Sequence, residues 1–349
     1  MNDIDAIVIG GGQAGLAAAH ALRQAGNAPV ILEAGDEPVG SWPSYYDSLT
    51  LFSPARYSAL PGMAFPADSE HYPHRDEVID YLRRYAKNLD ADIRTGHRVE
   101  TVHADDAGFR VRLTDGAELS SSIVVAATGA FGRPYRPVLP GLDSFTGTVL
   151  HASDYREPAP FAGQRVVVVG AANSAVQIGA ELAGHATVTL ATRKPVKFAP
   201  QRPLGRDVHF WSTVTGFDAL PVGHLLRTPP HMPVNDDGRY RRALAAGRPD
   251  QRRMFTGADG SRLTWPDGAR EHVDTIILAT GYRPDLSYLV DLGALTVDGA
   301  PRHRRGLSVS HPGLGFVGLE WQRSFSSATL RGVGRDARHV VRHLLTRRR

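Results

Sequence analysis

The order of apolar and polar positions picks out one short unit near the start of the chain. An apolar run over residues 4–10 ends in glycines, an alanine-rich stretch over residues 13–25 has the spacing of a helix, and a second apolar run covers residues 29–34. This order within about 30 residues is typical of a βαβ unit that binds a nucleotide. The pattern therefore predicts a strand, a helix and a strand in this part of the chain.

The same pattern returns in the second half of the chain. Residues 165–170 form an apolar run that again ends in glycine, residues 174–183 have helical spacing, and residues 187–192 form another apolar run. A duplicated βαβ unit is thus the predicted organising feature. It indicates an α/β fold with two nucleotide-binding domains.

The remaining segments are less regular. Residues 37–75 are rich in loop-forming residues, and residues 198–249 are rich in Pro, His and Arg without the spacing of metal ligands. We expect the second stretch to form loops that cover a smaller domain. The other predicted elements are a helix over residues 77–88, strands over residues 92–103, 108–113, 123–129 and 275–278, and a closing helix over residues 335–345.

The composition is that of an ordinary globular protein. Hydrophobic residues make up 42% and charged residues 22% of the 349 residues, which excludes a disordered chain. At roughly 150 residues per domain, the length agrees with two domains. A net charge of +4, with its arginines interleaved among acids, favours a solvated surface over a nucleic-acid-binding stripe. We expect no nucleic-acid partner.

Two absences narrow the function classes. The chain contains no cysteine, which excludes disulfides, thiolate metal sites and reduction of disulfides through thiols of its own. It also contains no run of 18 apolar residues, and its first residues are acidic where a signal peptide needs positive charge. The sequence therefore predicts a cytoplasmic protein with no membrane partner and no metal.

The first unit carries a phosphate-binding pattern. Gly10, Gly12 and Gly15 have the spacing G-x-G-x-x-G directly after the predicted strand and at the start of the helix. The first glycine allows the tight turn, the second lets the backbone approach a pyrophosphate, and the third allows close packing of helix and strand. Glu33 ends the next strand, where a carboxylate accepts the ribose hydroxyls. Together these features predict a bound dinucleotide.

The second unit departs from this pattern. Gly170 keeps the first position, but Ala172 occupies the second, where a Cβ points toward the expected pyrophosphate. The next strand ends in Thr192, Arg193 and Lys194 rather than in an acid. Two cations at this point suit the 2′-phosphate of NADPH better than the hydroxyl of NADH. The alternative is a unit that keeps only the fold and has lost its nucleotide.

A third motif lies between the two loops. The segment from Phe145 to Tyr155 matches F-x-G-x-x-x-H-x-x-x-[F/Y], with Gly147 and His151 at its fixed positions. Flanked by the two phosphate loops, it resembles the pattern of the flavin-containing monooxygenases, which are FAD- and NADPH-dependent flavoproteins. The resemblance covers most of the chain, residues 4–341, and is to bacterial members of the family.

The resemblance implies roles for further segments. Residues 40–42 look like the family's Gly-x-Trp, which lies beside the flavin, and residues 316–319 look like its closing FAD segment. The Ala-Thr-Gly sequences at residues 127–129 and 279–281 resemble the paired segments where the chain passes between domains. For His151 the resemblance implies positioning of the hinge between domains rather than acid–base catalysis.

The chain departs from the family near the expected flavin. The family often carries an active-site Asn shortly after Gly-x-Trp, and here Phe52 stands at that position, followed by Ser53. Both are candidate catalytic residues beside the flavin, with Ser53 as the substitute for the missing amide. The cofactor-binding residues predicted from loops and resemblance are Gly10, Gly12, Gln13, Ala14, Gly15, Glu33, Gly40, Ser41, Trp42, Val99, Thr128, Gly129, His151, Gly170, Ala172, Asn173, Ser174, Thr192, Arg193, Lys194, Gly318 and Leu319.

The expected fold is α/β, with two Rossmann-like dinucleotide-binding domains. We expect an FAD domain at residues 1–150 and 280–349, interrupted by an NADPH domain at residues 151–279. The resemblance implies an enzyme in which NADPH reduces FAD, and a flavin C4a-hydroperoxide oxygenates a soft nucleophilic heteroatom of a small molecule. The alternatives are an NADPH oxidase that produces hydrogen peroxide, which Phe52 favours, and a non-catalytic flavin-binding sensor, which Ala172 favours. A homodimer is left open.

Overall fold

The computed structural model describes residues 4–106, 108–226, 230 and 232–347. Within these ranges lie a seven-stranded sheet, a five-stranded sheet and three smaller sheets. The strands are β1 (Ala6–Ile9), β2 (Pro29–Leu32), β3 (Asp92–Arg94), β4 (Val99–Asp105), β5 (Gly108–Leu113), β6 (Glu118–Ser121), β7 (Val124–Ala126), β8 (Thr148–His151), β9 (Arg165–Val169), β10 (Thr187–Thr192), β11 (Phe198–Pro200), β12 (Val234–Asp236), β13 (Asp250–Arg253), β14 (Gly257–Asp259), β15 (Arg262–Thr264), β16 (Arg270–His272), β17 (Thr275–Leu278), β18 (His303–Arg304), β19 (Leu307–Ser308) and β20 (Leu314–Phe316). The α-helices are α1 (Gln13–Gln24), α2 (Arg75–Asn88), α3 (Asn173–Leu182), α4 (Val208–Val214), α5 (Arg239–Ala245) and α6 (Leu330–Arg347).

The seven-stranded sheet forms the centre of the first unit. Its strand order is β18-β19-β20-β7-β1-β2-β3, and β1 pairs in parallel with β2 and β7. These three strands are buried along their whole length, as expected for a parallel sheet covered on both faces. Val8 faces a layer of α1, α2 and α6, whereas Ile7 faces the small antiparallel sheet β4-β5-β6.

The five-stranded sheet forms the centre of the second unit. Its order is β13-β10-β9-β17-β8, and every neighbouring pair is parallel. Val168 faces α3, whereas Val167 faces the antiparallel sheet β14-β15-β16. The second unit thus repeats the layers of the first, and it is inserted in the chain between β7 and β18 of the first sheet. The predicted α/β fold with an inserted Rossmann-like unit is confirmed.

Three segments differ from their sequence-based expectation. β8 starts at Thr148 and pairs with β17 of the second sheet, so that sheet begins three residues before the expected boundary at residue 151. Residues 198–249 contain β11, α4, β12 and α5, because their short apolar stretches are stabilised by tertiary contacts rather than by a regular local period. The closing helix begins at Leu330 rather than at residue 335.

Two antiparallel chain crossings connect the units. The Tyr135 N–H donates to Gly281 O at 2.9 Å, and the Asp285 N–H donates to Gly129 O at 3.0 Å. The two Ala-Thr-Gly sequences stand at the start of these crossings, one directly after β7 and the other directly after β17. The crossings therefore lie side by side and form the hinge between the units.

The described ranges contain neither a membrane-spanning helix nor a cluster of metal ligands. No helix there combines the length and the hydropathy that crossing a bilayer requires. No group of three or more histidine and carboxylate side chains in the same ranges is placed to hold a metal ion.

Candidate functional site

The first glycine loop ends at a helix N-terminus that no side chain caps. Gly12 is the residue before α1, and no side chain accepts a hydrogen bond from the first turn of that helix. The N–H groups of the first helical residues have no partner within a helix, and the helix dipole places positive charge there. The loop therefore offers amide donors to an anion, as a pyrophosphate requires.

Close backbone contacts explain the glycines of this loop. A Cβ on Gly15 would lie 1.8 Å from the carbonyl oxygen of Gly10, so the helix can approach the strand only without a side chain. A Cβ on Gly12 would lie 3.3 Å from the Cα of Gly40, and a Cβ on Gly40 would lie 2.8 Å from the Cα of Gly12. These facing glycines form a cradle that a side chain would fill. The cradle fits the pyrophosphate of FAD.

Glu33 lies where the ribose of that dinucleotide is expected. Its side chain is only 8% exposed, and its two oxygens accept hydrogen bonds from the Gly11 N–H at 2.5 Å and the Gly35 N–H at 2.7 Å. A carboxylate has further lone pairs for two ribose hydroxyls. The His97 N–H donates to Glu33 O at 2.8 Å, which brings the segment leading to Val99 alongside this end of β2.

Distant segments converge on the start of α1. The Gln13 side chain donates to Ala328 O at 2.7 Å and accepts from the indole N–H of Trp42 at 3.2 Å. A Cβ on Gly318 would lie 2.7 Å from the Cβ of Ala14, and Leu319 follows directly. Two segments named from the sequence therefore meet at the start of α1. One contains Gly40, Ser41 and Trp42, and the other contains Gly318 and Leu319.

The second loop has the backbone geometry of the first. Ala172, before α3, has φ −100° and ψ −175°, close to the φ −76° and ψ −173° of Gly12. Its side chain is exposed. The Asn173 Oδ1 is fully enclosed without a hydrogen-bond partner in the described ranges. Ala172 therefore adopts the extended backbone of the first loop without strain, because its φ is negative.

Ala172→Gly is expected to change NADPH affinity by less than about threefold, or about 0.7 kcal/mol. The alanine Cβ is exposed, and its crowding of the pyrophosphate, expected from the sequence, stays a prediction. Added backbone freedom costs roughly 0.5–1 kcal/mol, which offsets a gain in access. Titration of the oxidised holoenzyme with NADP⁺ measures the change. Tightening of tenfold or more would show that the Cβ does obstruct the nucleotide.

A cationic edge follows the second strand of this unit. Arg193 and Lys194 are exposed directly after Thr192, which is buried. Arg253 was not singled out from the sequence, yet its Cα pairs with that of Thr192 across β10 and β13, and its side chain is exposed. The signal that could have found it is the Arg252–Arg253 pair at the end of a short strand.

His151 is a buried residue of the hinge. Its side chain is 0% exposed, its Nδ1 accepts from the Ser153 N–H at 3.1 Å, and its Nε2 lies 3.1 Å from Gly281 O. The tautomer that satisfies both contacts carries its proton on Nε2. Burial lowers the pKa of His151. A neutral imidazole that donates to the second crossing supports the hinge-positioning role predicted for it.

A row of aromatic rings in contact with one another runs from Trp42 to the hinge. Trp42 contacts Tyr45, Tyr45 contacts Phe131 with ring centres 4.6 Å apart, and Phe131 stacks on Tyr282. Burial raises the pKa of Tyr45 to about 12. The Thr128 hydroxyl, just before Phe131, donates to the carbonyl of residue 285 at 2.5 Å. The row therefore forms a continuous series of ring contacts between the first glycine loop and the hinge.

The two candidate catalytic residues lie in different surroundings. Ser53 is 8% exposed, and its hydroxyl is 2.9 Å from the Ser58 hydroxyl, which leaves it poorly placed to replace an amide beside the flavin. Phe52 is 37% exposed and stacks on the His209 ring with centres 5.9 Å apart. A histidine of the second unit thus lies against the loop that carries both candidate residues.

A buried polar cluster surrounds that histidine and was missed by the sequence analysis. Asp207 accepts from the His209 ring at 2.7 Å and from Gln201 at 2.8 Å, and the Tyr72 hydroxyl also donates to it. Burial alone would raise the pKa of Asp207, but the hydrogen bonds from His209, Tyr72 and Gln201 outweigh it and lower that pKa to about 2. An ionised carboxylate is therefore held at the junction of the units.

The comparisons with known proteins agree with this geometry. A family model described as pyridine nucleotide-disulphide oxidoreductase matches residues 7–208. An uncharacterized CzcO-like oxidoreductase of Geobacillus kaustophilus is 32% identical over 98% of this chain and 98% of its own length. The indole-3-pyruvate monooxygenase YUCCA1 of rice is 31% identical over 97% of this chain and 91% of its own.

A solved structure of a flavin monooxygenase is also similar to this chain. The flavin-containing monooxygenase of Stenotrophomonas maltophilia superposes with a TM-score of 0.86 at 34% identity, covering 99% of each chain. Because the present chain has no cysteine, the dithiol chemistry in the family model's description has no residue to carry it here. The chain belongs to the pyridine nucleotide-disulphide oxidoreductase family and, within it, to the FAD-dependent flavin monooxygenases.

Proposed function

We propose that this FAD-dependent monooxygenase consumes NADPH and oxygenates a soft nucleophilic heteroatom, such as sulfur or nitrogen, of a small molecule. The observation that carries the proposal is the second glycine loop. It repeats the backbone geometry of the first loop at Ala172 and is followed by exposed cations at Arg193 and Lys194. FAD and NADPH are the cofactors of flavin monooxygenases, and this loop is the candidate NADPH site.

Residues of the first unit would hold the flavin nucleotide. The amides at the start of α1 would bind the pyrophosphate, and Glu33 would accept hydrogen bonds from the ribose hydroxyls. Gln13 hydrogen-bonds to both Trp42 and Ala328 and so holds these two segments together near the flavin. Bound FAD supplies electron transfer from the nicotinamide and activation of oxygen. The protein then has to exclude water, for which the aromatic row from Trp42 to Tyr282 is suited.

Residues of the second unit would hold NADPH. The amides at the start of α3 bind its pyrophosphate, and Arg193 can grip a 2′-phosphate through two charge-assisted hydrogen bonds. His151 and the paired crossings set the angle between the units. Oxygen transfer to a neutral sulfur or amine needs no paired acids in the protein, which agrees with the absence of such a motif from the sequence.

The test measures how NADPH oxidation divides between hydrogen peroxide and oxygenated product. Purified holoenzyme is supplied with NADPH, ¹⁸O₂ and a panel of thioethers and amines, while NADPH loss, hydrogen peroxide and oxygenated product are quantified together. We expect one ¹⁸O atom per product and peroxide well below the NADPH consumed. Peroxide equal to NADPH with every substrate would contradict the proposal and establish the oxidase.

The oxidase is the second candidate because a specific observation favours it. Phe52 stands in place of the amide, and the Ser53 hydroxyl is engaged with Ser58. A site without a polar partner for the activated oxygen would release peroxide. The third alternative, a flavin-binding sensor, requires that Ala172 prevent nucleotide binding at the second loop, and a wild-type holoenzyme that does not bind NADPH would favour it.

A further inference from the structure

A buried Asp–His pair lies at the junction of the two units and has no role in the function proposed above. Asp207 and His209 are 4% and 2% exposed. They stand at the start of α4, and the Asp207 side chain accepts from both the His209 backbone N–H and its ring Nδ1, at 2.8 and 2.7 Å. Burying a carboxylate is costly unless it is bonded in this way.

The surroundings of Asp207 orient the histidine ring. One carboxylate oxygen takes the two bonds from His209, and the other takes those from Gln201 and Tyr72. Because the Nδ1–H donates to Asp207, Nε2 is the ring nitrogen that is left to accept a proton. It bonds to no residue in the described ranges, and it is not among their fully enclosed unpartnered polar atoms.

The His209 ring is held against the loop beside the expected flavin. It stacks on Phe52 at 5.9 Å and lies 6.1 Å from Tyr57, measured between ring centres. The Gln201 side chain donates to Phe52 O at 3.0 Å as well as to Asp207. Both units therefore contribute to placing one basic nitrogen next to the loop where the family has its amide.

We propose that His209 Nε2 takes the proton from an ammonium substrate, so that the amine nitrogen exposes the lone pair that accepts oxygen. This inference rests on the proposed function and names protonated aliphatic amines as a substrate class. The N–H bond of the ammonium breaks as the Nε2–H bond forms, with no change of oxidation state. The negative charge of Asp207 stabilises the resulting imidazolium, which makes Asp207 a positioning residue.

The chemistry explains why such a group is useful at this position. An ammonium ion has no lone pair and cannot take an oxygen atom, whereas a thioether or an aromatic amine needs no deprotonation. A positioned general base contributes about 10²–10⁴-fold to a proton transfer. The benefit of His209 should therefore depend on the protonation of the substrate rather than on its size.

The test compares two amines of similar size in the holoenzyme. N,N-dimethylbenzylamine is protonated at neutral pH, and N,N-dimethylaniline is not. His209→Gln should lower kcat/KM for the benzylamine about a hundredfold and change that for the aniline less than about threefold. The matched control is His272→Gln on the exposed strand β16. It breaks another contact between a histidine and an aspartate two residues away, with His272 Nε2 2.8 Å from Asp274 Oδ1. It should change neither value.

The outcomes separate this inference from the proposed function. Equal losses with both amines, or no loss with either, would overturn the inference alone, as would a wild-type enzyme that oxygenates thioethers but no amine. No oxygenated product from any substrate would overturn the proposed function. The pH profile gives a second readout, because above the pKa of the ammonium the amine arrives with its lone pair free, and the loss in His209→Gln should then disappear. A loss with N,N-dimethylbenzylamine that persists at high pH would likewise contradict the inference.

Discussion

Gly12→Val is expected to give a folded protein that purifies without flavin colour. A Cβ at this position already lies 3.3 Å from the Cα of Gly40, and the two valine methyl groups would fill the cradle in front of the α1 amides. We expect FAD affinity to fall more than about a hundredfold, or about 2.8 kcal/mol. The flavin-to-protein absorbance ratio and a titration of apoprotein with FAD measure this.

The matched control is Ala172→Val, the same side chain at the equivalent position of the second unit. Ala172 has nearly the same backbone conformation and an exposed Cβ, so this variant should keep its full complement of FAD. Circular dichroism and a thermal melt establish that both variants fold. A yellow Gly12→Val protein at full stoichiometry would show that the first loop does not hold the pyrophosphate.

Arg193→Ala is expected to remove most of a preference for NADPH over NADH. A guanidinium that binds the 2′-phosphate contributes about 1.5–3 kcal/mol, which is roughly ten- to a hundredfold in affinity. NADH lacks the phosphate, so its binding should barely change. Rates of anaerobic flavin reduction at subsaturating nucleotide and low salt measure both. The preference should also shrink as salt rises, because the guanidinium is exposed.

The control for this variant is Arg262→Ala, which removes an exposed arginine of the same unit from β15. It should leave the preference unchanged. If wild-type enzyme is reduced equally fast by both nucleotides, the assignment of Arg193 is wrong. A preference that survives in Arg193→Ala but disappears when Arg253 is also replaced would show that the neighbouring strand shares the phosphate, as the pairing of Arg253 with Thr192 allows.

Features encoded locally could be predicted from the sequence. The two βαβ units, the first residue of α1 and the whole of β10 agree with the apolar runs and glycine turns, because hydrophobic period and turn residues act over a few positions. Glu33 could be placed for the same reason, since it directly follows a strand of that unit. The boundary at residue 151 could not, because β8 is defined by its pairing with β17, more than a hundred residues later.

The surroundings of the site residues depended on distant partners. Gly40 faces Gly12 from another loop, and the Ser53 hydroxyl is engaged by Ser58. Ala172 shows the limit most clearly. Its exposure could not be predicted from its own loop, because the sequence of one loop does not reveal whether another loop packs against it.

The sequence by itself determined the class of fold, the two glycine loops that open α1 and α3, and the family, because each depends on spacing within a continuous stretch of chain. Only the tertiary structure decided which polar groups meet at the junction of the units. Tyr72 and Asp207 are 135 residues apart in the chain, and Phe52 meets His209 across the two units. No local period encodes such contacts, since they arise only when both units have packed and the buried carboxylate needs donors from each.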